Sequence, residues 1–398
     1  MSRAYRIVTT FACAALLAVA AGCAVEGTPA PAEIDVRTLD TGSYPVDRYT
    51  YGRDSNGKGA VLEGMRMADA VVPAVKVDPS LRVGRGGIVL TSVNDVVTVS
   101  HLSSSARPVL QNRGFIAGFA TSSSDLADPA GSSAPDPKST TVTIRLLRFP
   151  SADSAKLAAR ELSDADFNVA LDQNRKLTLP DYPDAMSHWR PGVANIGMTM
   201  PRKEFVISVF ISRPSADQAD LLSWLKKTLD AEVPAVDAFA ATPADRVEQL
   251  PVDPDRLLAR VLTTNRDGRS PDPDTFAVFG PAMLVHPAGD QALRSRLVAD
   301  TGMDAMAGVD ENYLFRTRDA KSGADLVSGL ISSLGETGST GPGPENVPDA
   351  KCVHRKSGAA AFRCYVIYKR YVGVVNAQTA DEVHRMAAAQ YALLANSL

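Results

Sequence analysis

Neither charge dominates this sequence, no long apolar run follows its N-terminus, and no familiar catalytic signature interrupts it. Lysine and arginine number 42 against 45 aspartates and glutamates, a net charge of −3. A slightly acidic chain has no electrostatic reason to seek nucleic acid or an anionic lipid surface, so no nucleic-acid partner is expected. GxSxG, the P-loop, GxGxxG and HExxH are all missing, and with them any ground for assigning a catalytic residue, a cofactor or a metal. Ser223-Trp224-Leu225-Lys226 fits the SxxK pattern of penicillin-recognising enzymes. It stands without Ser-Asp-Asn or Lys-Thr-Gly, and its neighbours Leu221, Leu222 and Leu225 read as the buried face of a helix.

The one long apolar run is at the start. Arg3 and Arg6 precede an almost unbroken apolar stretch over residues 7–21, closed by Ala20-Ala21-Gly22-Cys23. This is a lipobox: small side chains admit the peptidase, and the thiol of Cys23 receives diacylglycerol. Ala20 stands where leucine is usual. The stretch is short for a membrane span, which takes about 20 apolar residues. Residues 1–22 therefore read as a signal peptide and 23–34, rich in Ala and Pro, as a lipidated tether. The expected location is outside the cytoplasmic membrane, anchored to it through the lipid on Cys23.

Cysteine is scarce, four in 398 residues. Cys13 leaves with the leader and Cys23 takes lipid, so Cys352 and Cys364 remain. In an oxidising compartment a leftover pair is most simply a disulfide, here across a turn near Gly358. A metal set of Cys352, His354 and Cys364 competes with that reading and lacks a fourth ligand.

At this length, with 45% hydrophobic residues, two domains are expected. An internal repeat gives them shape. Phe149 and Phe315, His188 and His354, and Phe205 and Tyr371 are each 166 positions apart. Ala155, Ala158, Ala159 and Leu162 recur at helical spacing after the first phenylalanine, and Ala324, Val327, Leu330 and Ile331 after the second. FVISVFISRPSADQADLLSWLKKTL is answered by YVGVVNAQTADEVHRMAAAQYALL, each a strand running into a helix. Ser215-Ala-Asp-Gln218 and Thr379-Ala-Asp-Glu382 read as capping boxes. Upstream, His101 matches His286 at a larger offset, which an extra loop in the first copy explains.

The fold class is therefore α+β: two tandem copies of one unit, an antiparallel or mixed sheet with helices on one face, in the manner of ferredoxin-like or split βαβ folds. The N-terminal domain is placed at 35–233, a Pro-rich linker at 234–255 and the C-terminal domain at 256–398. Residues 121–140 and 335–350 are expected as exposed loops. TVTIRLLRF, 141–149, alternates as a strand with one solvated or helix-covered side.

The four histidines at paired positions, His101, His188, His286 and His354, are the candidate ligand-site residues. Their competing reading is ordinary hydrogen bonding at strand ends. Trp189, Trp224, Tyr365, Tyr368 and Tyr371 fit either a groove for an apolar or glycan ligand or core packing. The carboxylates Asp164, Asp166, Asp272 and Asp274 read as loop and cap residues.

The lipobox at Cys23, LDTGSYP at 39–45, GMRMADAVV at 64–72 and the C-x11-C hairpin running into RYVGVVNAQ together resemble a family of actinobacterial cell-envelope lipoproteins of unknown function. The resemblance covers nearly the whole mature chain. It implies an exported, lipid-anchored protein and supplies no catalytic residues. The functional expectation is a non-enzymatic envelope lipoprotein that binds a small molecule, lipid, glycan or protein partner. The alternatives are an envelope hydrolase with an unrecognised site, or a structural accessory subunit.

Overall fold

Two seven-stranded antiparallel sheets, one from each half of the chain, account for the α+β class expected from the repeat. The structure is a computed structural model and describes residues 34–398 other than 133, 357 and 359. Residues 1–33, where a signal peptide, a lipobox and a lipidated Cys23 are expected, lie outside the described residues.

The first half runs α1 (Gly59–Met67), β1 (Val83–Leu90), α2 (Arg107–Asn112), β2 (Ala117–Ser124), β3 (Thr141–Arg148) and α3 (Ala152–Phe167). It continues through β4 (Arg175–Leu177), β5 (Met186–Trp189), β6 (Asn195–Arg202), β7 (Phe205–Ser212) and α4 (Gln218–Ala238). The second half runs β8 (Phe276–Phe279), α5 (Ala282–Val285), α6 (Gln291–Thr301), β9 (Ala305–Val309), β10 (Asn312–Arg316) and α7 (Ala320–Ser332). β11 (Gly338–Gly341), β12 (Lys351–Arg355), β13 (Phe362–Tyr368), β14 (Tyr371–Ala377) and α8 (Ala380–Ser397) complete it.

The strand orders are β1-β2-β3-β7-β6-β5-β4 and, read from the other edge, β8-β9-β10-β14-β13-β12-β11. Each strand of the first sheet thus has a counterpart seven further along, and the two halves share one topology. In both, a crossover helix, α3 or α7, follows the third strand, and the meander's last strand returns beside that third strand. The repeat is also fixed at the residue level. β6 turns into β7 through Lys203 and Glu204, and β13 into β14 through Lys369 and Arg370, with φ of 52° and 51° at the two lysines.

From these turns the register can be followed outward. Arg148 pairs with Phe205 and Arg316 with Tyr371, so Arg148 answers Arg316, and Phe315 answers Leu147 rather than Phe149. The extra length of the first copy is the connection 125–140 between β2 and β3, where β9 and β10 are joined by a tight turn at Asp310. The loop expected at 121–140 begins later than its composition suggests, because 121–124 complete β2. Likewise 338–341, within the expected loop 335–350, form the edge strand β11.

Local chemistry explains the helices. Ser151 caps α3 by accepting from the Ser154 N–H at 3.1 Å, and Ala155, Ala158, Ala159 and Leu162 are its buried stripe, as their spacing predicts. In α7 the stripe is Gly323, Leu326, Val327 and Leu330, while Ala324 is exposed. Thr379 caps α8 as expected, accepting from the Glu382 N–H. In α4 the cap is Asp217, not Ser215. A carboxylate two residues on does the same work, accepting from the Asp220 N–H at 3.0 Å.

Helices cover both faces of each sheet rather than one. Thr199 reaches α3, its hydroxyl donating to the Ala159 carbonyl at 2.9 Å, whereas Arg202, on the opposite face of β6, pairs with Asp237 of α4. In the second sheet, Tyr365, Val372 and Val374 pack with α7, and Tyr368 packs on Tyr391 of α8. The closing helix of each copy lies on the face opposite the crossover helix. This arrangement buries both faces of β3, including its charged residues. Arg148 is fully buried and ion-paired to Glu63 of α1, a carboxylate that also accepts from the Thr242 N–H at 3.1 Å and hydroxyl at 2.8 Å.

Residues Val36–Leu398 pack as one compact unit. The α5–α6 segment of the second half docks on the first: Gly84 N–H donates to the Ala288 carbonyl at 2.8 Å, and Gln291 N–H to the Arg82 carbonyl at 2.7 Å. A Cβ on Gly84 would meet the His286 carbonyl oxygen at 2.1 Å, so only glycine allows this approach. Residues 234–255, expected as a linker, hold the last turns of α4, the Glu63-bound Thr242, and buried Val247 and Val252.

Candidate functional site

A cavity of about 680 Å³ lies on the α3 face of the first sheet. Its floor is sheet: Ala120 and Ser122 of β2, Thr143 and Arg145 of β3, Ser208 of β7, and Gly197 and Thr199 of β6, with the exposed Ile88 of β1 and Phe210 of β7 at its edge. Its walls are the chain over 99–106, the C-terminal part of α3 and Met186 and His188 of β5. The volume falls within the usual range for small-molecule sites.

The wall over 99–106 is held out from the sheet by its own sequence. The Asp95 carboxylate accepts from the N–H groups of Thr91 and Ser92, both at 2.9 Å, and from the Thr91 hydroxyl at 2.8 Å. That collar ends β1 and starts a π-type turn over Asp95–Val99. Ser100 closes the turn with its hydroxyl on the Val96 carbonyl at 2.6 Å. His101 then takes a left-handed backbone, φ 56°, and Ser103 caps the next turn. The Ser100 carbonyl is thereby presented to Arg145, whose Nε donates to it at 2.8 Å.

Arg145 is 5% exposed, and burial pulls its guanidinium down to about 10, against the opposing field of Asp166. Sequence alternation placed this residue on a solvated or helix-covered side. It lies instead beneath a cavity, because α3 covers only part of the face. His188 Nε2 is 3.5 Å from Asp166 Oδ2, and burial lowers the imidazole pKa while the carboxylate pulls the other way. Asp166, read from sequence as a loop or cap residue, is therefore part of the cavity wall. The Asp272 carboxylate does organise a local turn, accepting from the N–H groups of Asp274 and Thr275.

Of the four candidate histidines, the structure brings together His101 and His188, both on this cavity. His286 is fully buried where the second half docks, with Nε2 3.0 Å from the Ala68 carbonyl oxygen and its ring 5.1 Å from Phe119. Burial pulls its pKa down to about 4. His354 sits on β12, the counterpart of β5, but one residue out of step. Register makes Val353, paired with Arg363, the equivalent of His188, paired with Gly197. A shift of one turns a strand residue to the other face. His354 accordingly shares a side with Cys352 and stacks on Phe362, 4.8 Å between ring centres.

Cys352 and Cys364 face each other across β12 and β13 and are joined as a disulfide. His384 of α8 gathers with the two sulfurs, its ligand atom and theirs all within 4.8 Å of one another. Ser223 is exposed on α4, and Lys226 pairs there with Asp230 at 2.8 Å, so neither SxxK residue lines the cavity. The aromatic residues pack: Trp224 is buried between Arg213 and Lys227, Trp189 donates to the Val193 carbonyl at 2.7 Å, and Tyr365, Tyr368 and Tyr371 are core.

The second copy shows what the cavity would be if filled. Following the register from the shared turns, Arg145 answers Tyr313, Ser208 answers Val374 and Thr199 answers Tyr365. All three replacements belong to the packed cluster beneath α7. One copy thus closes with two tyrosines and a valine the space that the other leaves open.

Residues 50–252 match the model of a domain of unknown function (DUF7373), N-terminal, and residues 257–397 match DUF7373, C-terminal. The chain belongs to the DUF7373 family. Among solved structures, this DUF7373 protein is similar to the extracellular domain of PknH from Mycobacterium tuberculosis, at 14% identity and a TM-score of 0.26. That match covers 42% of this chain and 91% of the other. No curated protein matches it. Among the described residues no helix is long and apolar enough to cross a membrane.

Proposed function

We propose that this DUF7373 protein is an exported, lipid-anchored protein of an actinobacterial envelope that binds a small ligand in the cavity of its first half. The observation that carries the reading is the contrast between the copies: the same floor positions are packed shut in one and left open, around a buried arginine, in the other. A solvent-filled hollow of this size leaves part of the sheet's α3 face without protein packed on it, where the second copy shows that the fold can close the same space. Export and anchoring rest on the lipobox at Cys23, and the Cys352–Cys364 disulfide is consistent with an oxidising compartment. Two domains, 35–233 and 256–398 about a junction at 234–255, remain our reading of the organisation.

His188 beside Asp166 gives a hydrolase a foothold. Against it, no hydroxyl or thiol among the described residues hydrogen-bonds the imidazole, and the Asp166 side chain is 46% exposed. A hydrolytic triad wants its nucleophile on the histidine and its acid sheltered. The test is native mass spectrometry of protein purified from its own membrane. An acyl mass on Cys23 and a small molecule released on denaturation are expected, the latter absent from Ser208→Phe, which sets a ring on the cavity floor beside Arg145. Recovery of Met1 intact without acyl chains would refute the anchoring. A ligand retained equally by Ser208→Phe would refute the site.

A further inference from the structure

We infer that the cavity takes an amphiphile with a single anionic head, carboxylate or phosphate, seated on Arg145, and an apolar chain leaving through the mouth. This rests on the cavity being a ligand site, and adds the class of ligand. Arg145 supplies the first argument. A buried charge is tolerated when it is paired and satisfied. Arg148, three residues along the same strand and on the opposite face, meets the Glu63 carboxylate, and Arg85 at the cavity's edge meets Asp128. Arg145 makes its protein hydrogen bonds only to the Ser100 carbonyl, and no carboxylate lies within ion-pair distance among the described residues. Asp166, the nearest acid acting on it, is at the wall beside His188.

Ser208 stands directly across from Arg145 in the β3–β7 pairing, and its hydroxyl is engaged by no other side chain or carbonyl among the described residues. A guanidinium and an open hydroxyl on adjacent strands are the donors that a carboxylate or phosphate uses. The mouth is of the opposite character. Eight large apolar side chains are exposed among the described residues, and four of them, Ile88, Val99, Val169 and Phe210, border this one cavity. Such clustering marks a contact surface for something apolar. An anionic floor-binder alone would leave that rim unexplained, and a neutral hydrocarbon would leave Arg145 uncompensated.

The experiment is calorimetric titration of the full chain carrying Cys23→Ala, which removes the acylation site as a competing source of lipid. The probes are dodecanoate, dodecyl phosphate, dodecanol, acetate and inorganic phosphate. Both anionic amphiphiles are expected to bind about tenfold or more tightly than dodecanol, the value of one charge-assisted contact, and more tightly than acetate or inorganic phosphate. Whichever anionic amphiphile binds more tightly identifies the head group. Arg145→Gln is expected to abolish the preference over dodecanol, and Phe210→Asp, at a position 40% exposed, to weaken every chain-bearing probe, with a thermal melt of each variant showing that it folds. Equal affinity for dodecanol and dodecanoate overturns the anionic head while leaving a ligand site. So does dodecanoate binding unchanged by Phe210→Asp, for the route of the chain. No binding of any chain-bearing probe overturns the amphiphile; if the natively purified protein also carries no ligand, the reading of the cavity as a site falls with it.

Discussion

Glu232 is a buried acid with almost nothing to hold its charge, and replacing it with glutamine should make the protein more stable as pH rises. The side chain is fully buried in α4 and accepts one bond, from the Val72 N–H at 2.9 Å, while Oε1 has no partner among the described residues. Burial pushes its pKa from 4.5 up to about 8, opposed only by that backbone contact. In the unfolded chain the carboxyl ionises near its ordinary value, so between these two points the unfolded state releases a proton that the native state keeps. Stability is full below about pH 4.5 and falls by about 1.4 kcal/mol per pH unit as pH climbs toward 8. Glutamine keeps the shape and the acceptor and cannot ionise. The gap in unfolding free energy between Glu232→Gln and the parent should therefore widen by about 4 kcal/mol from pH 5 to pH 8. Urea titrations of both proteins across that range measure it, and the difference between them cancels every other titrating group. A gap that stays flat would show that Glu232 reaches solvent or a cation in the folded protein, and the reasoning would fail.

Two further outcomes follow from the same chemistry. His286 is held neutral by burial, with a pKa of about 4. The stability this contributes is present above pH 6.5 and is lost as pH falls toward 4, by about 3 kcal/mol, and His286→Gln should abolish that acid-side slope in urea titrations between pH 7 and 4. Removing the Cys352–Cys364 link by paired serine substitution should cost about 3 kcal/mol, read as a lower thermal midpoint that reducing agent no longer shifts. A midpoint unmoved by the double substitution would mean that the hairpin is fixed by β12–β13 pairing alone.

The features legible in the sequence are those that depend on local period or spacing. The α3 stripe of Ala155, Ala158, Ala159 and Leu162 and the cap at Thr379 follow from residues within a few positions of one another, the cysteine pair from a count, and the duplicated order of elements from two like segments compared along the chain. The site depends on where charged strand residues end up, which spacing does not encode. Arg145 and Arg148 give the same alternating signal whether they face water, a cavity or an acid from α1, and their partners Ser100 and Glu63 are 45 and 85 residues away. Glu63 and Glu232 give no signal for the same reason, and Asp166 reads as a loop or cap residue although it stands in the cavity wall. The paired histidines misled through a finer effect: the repeat matched His188 to His354 in sequence, while the hairpin register set them on opposite sides of their sheets. Conserved spacing between copies finds the right strand and leaves its facing undetermined by one residue.

The open floor of the first sheet has a mechanical consequence. Where its twin carries two aromatic rings and a branched aliphatic, this half presents Arg145, Ser208 and Thr199 to a solvent-filled hollow, and local opening of β3 and β7 is expected to precede that of β10 and β14, read as earlier amide exchange. A guest lodged in the hollow would supply the missing brace, and its arrival or departure would stiffen or loosen one lobe while leaving the other unchanged.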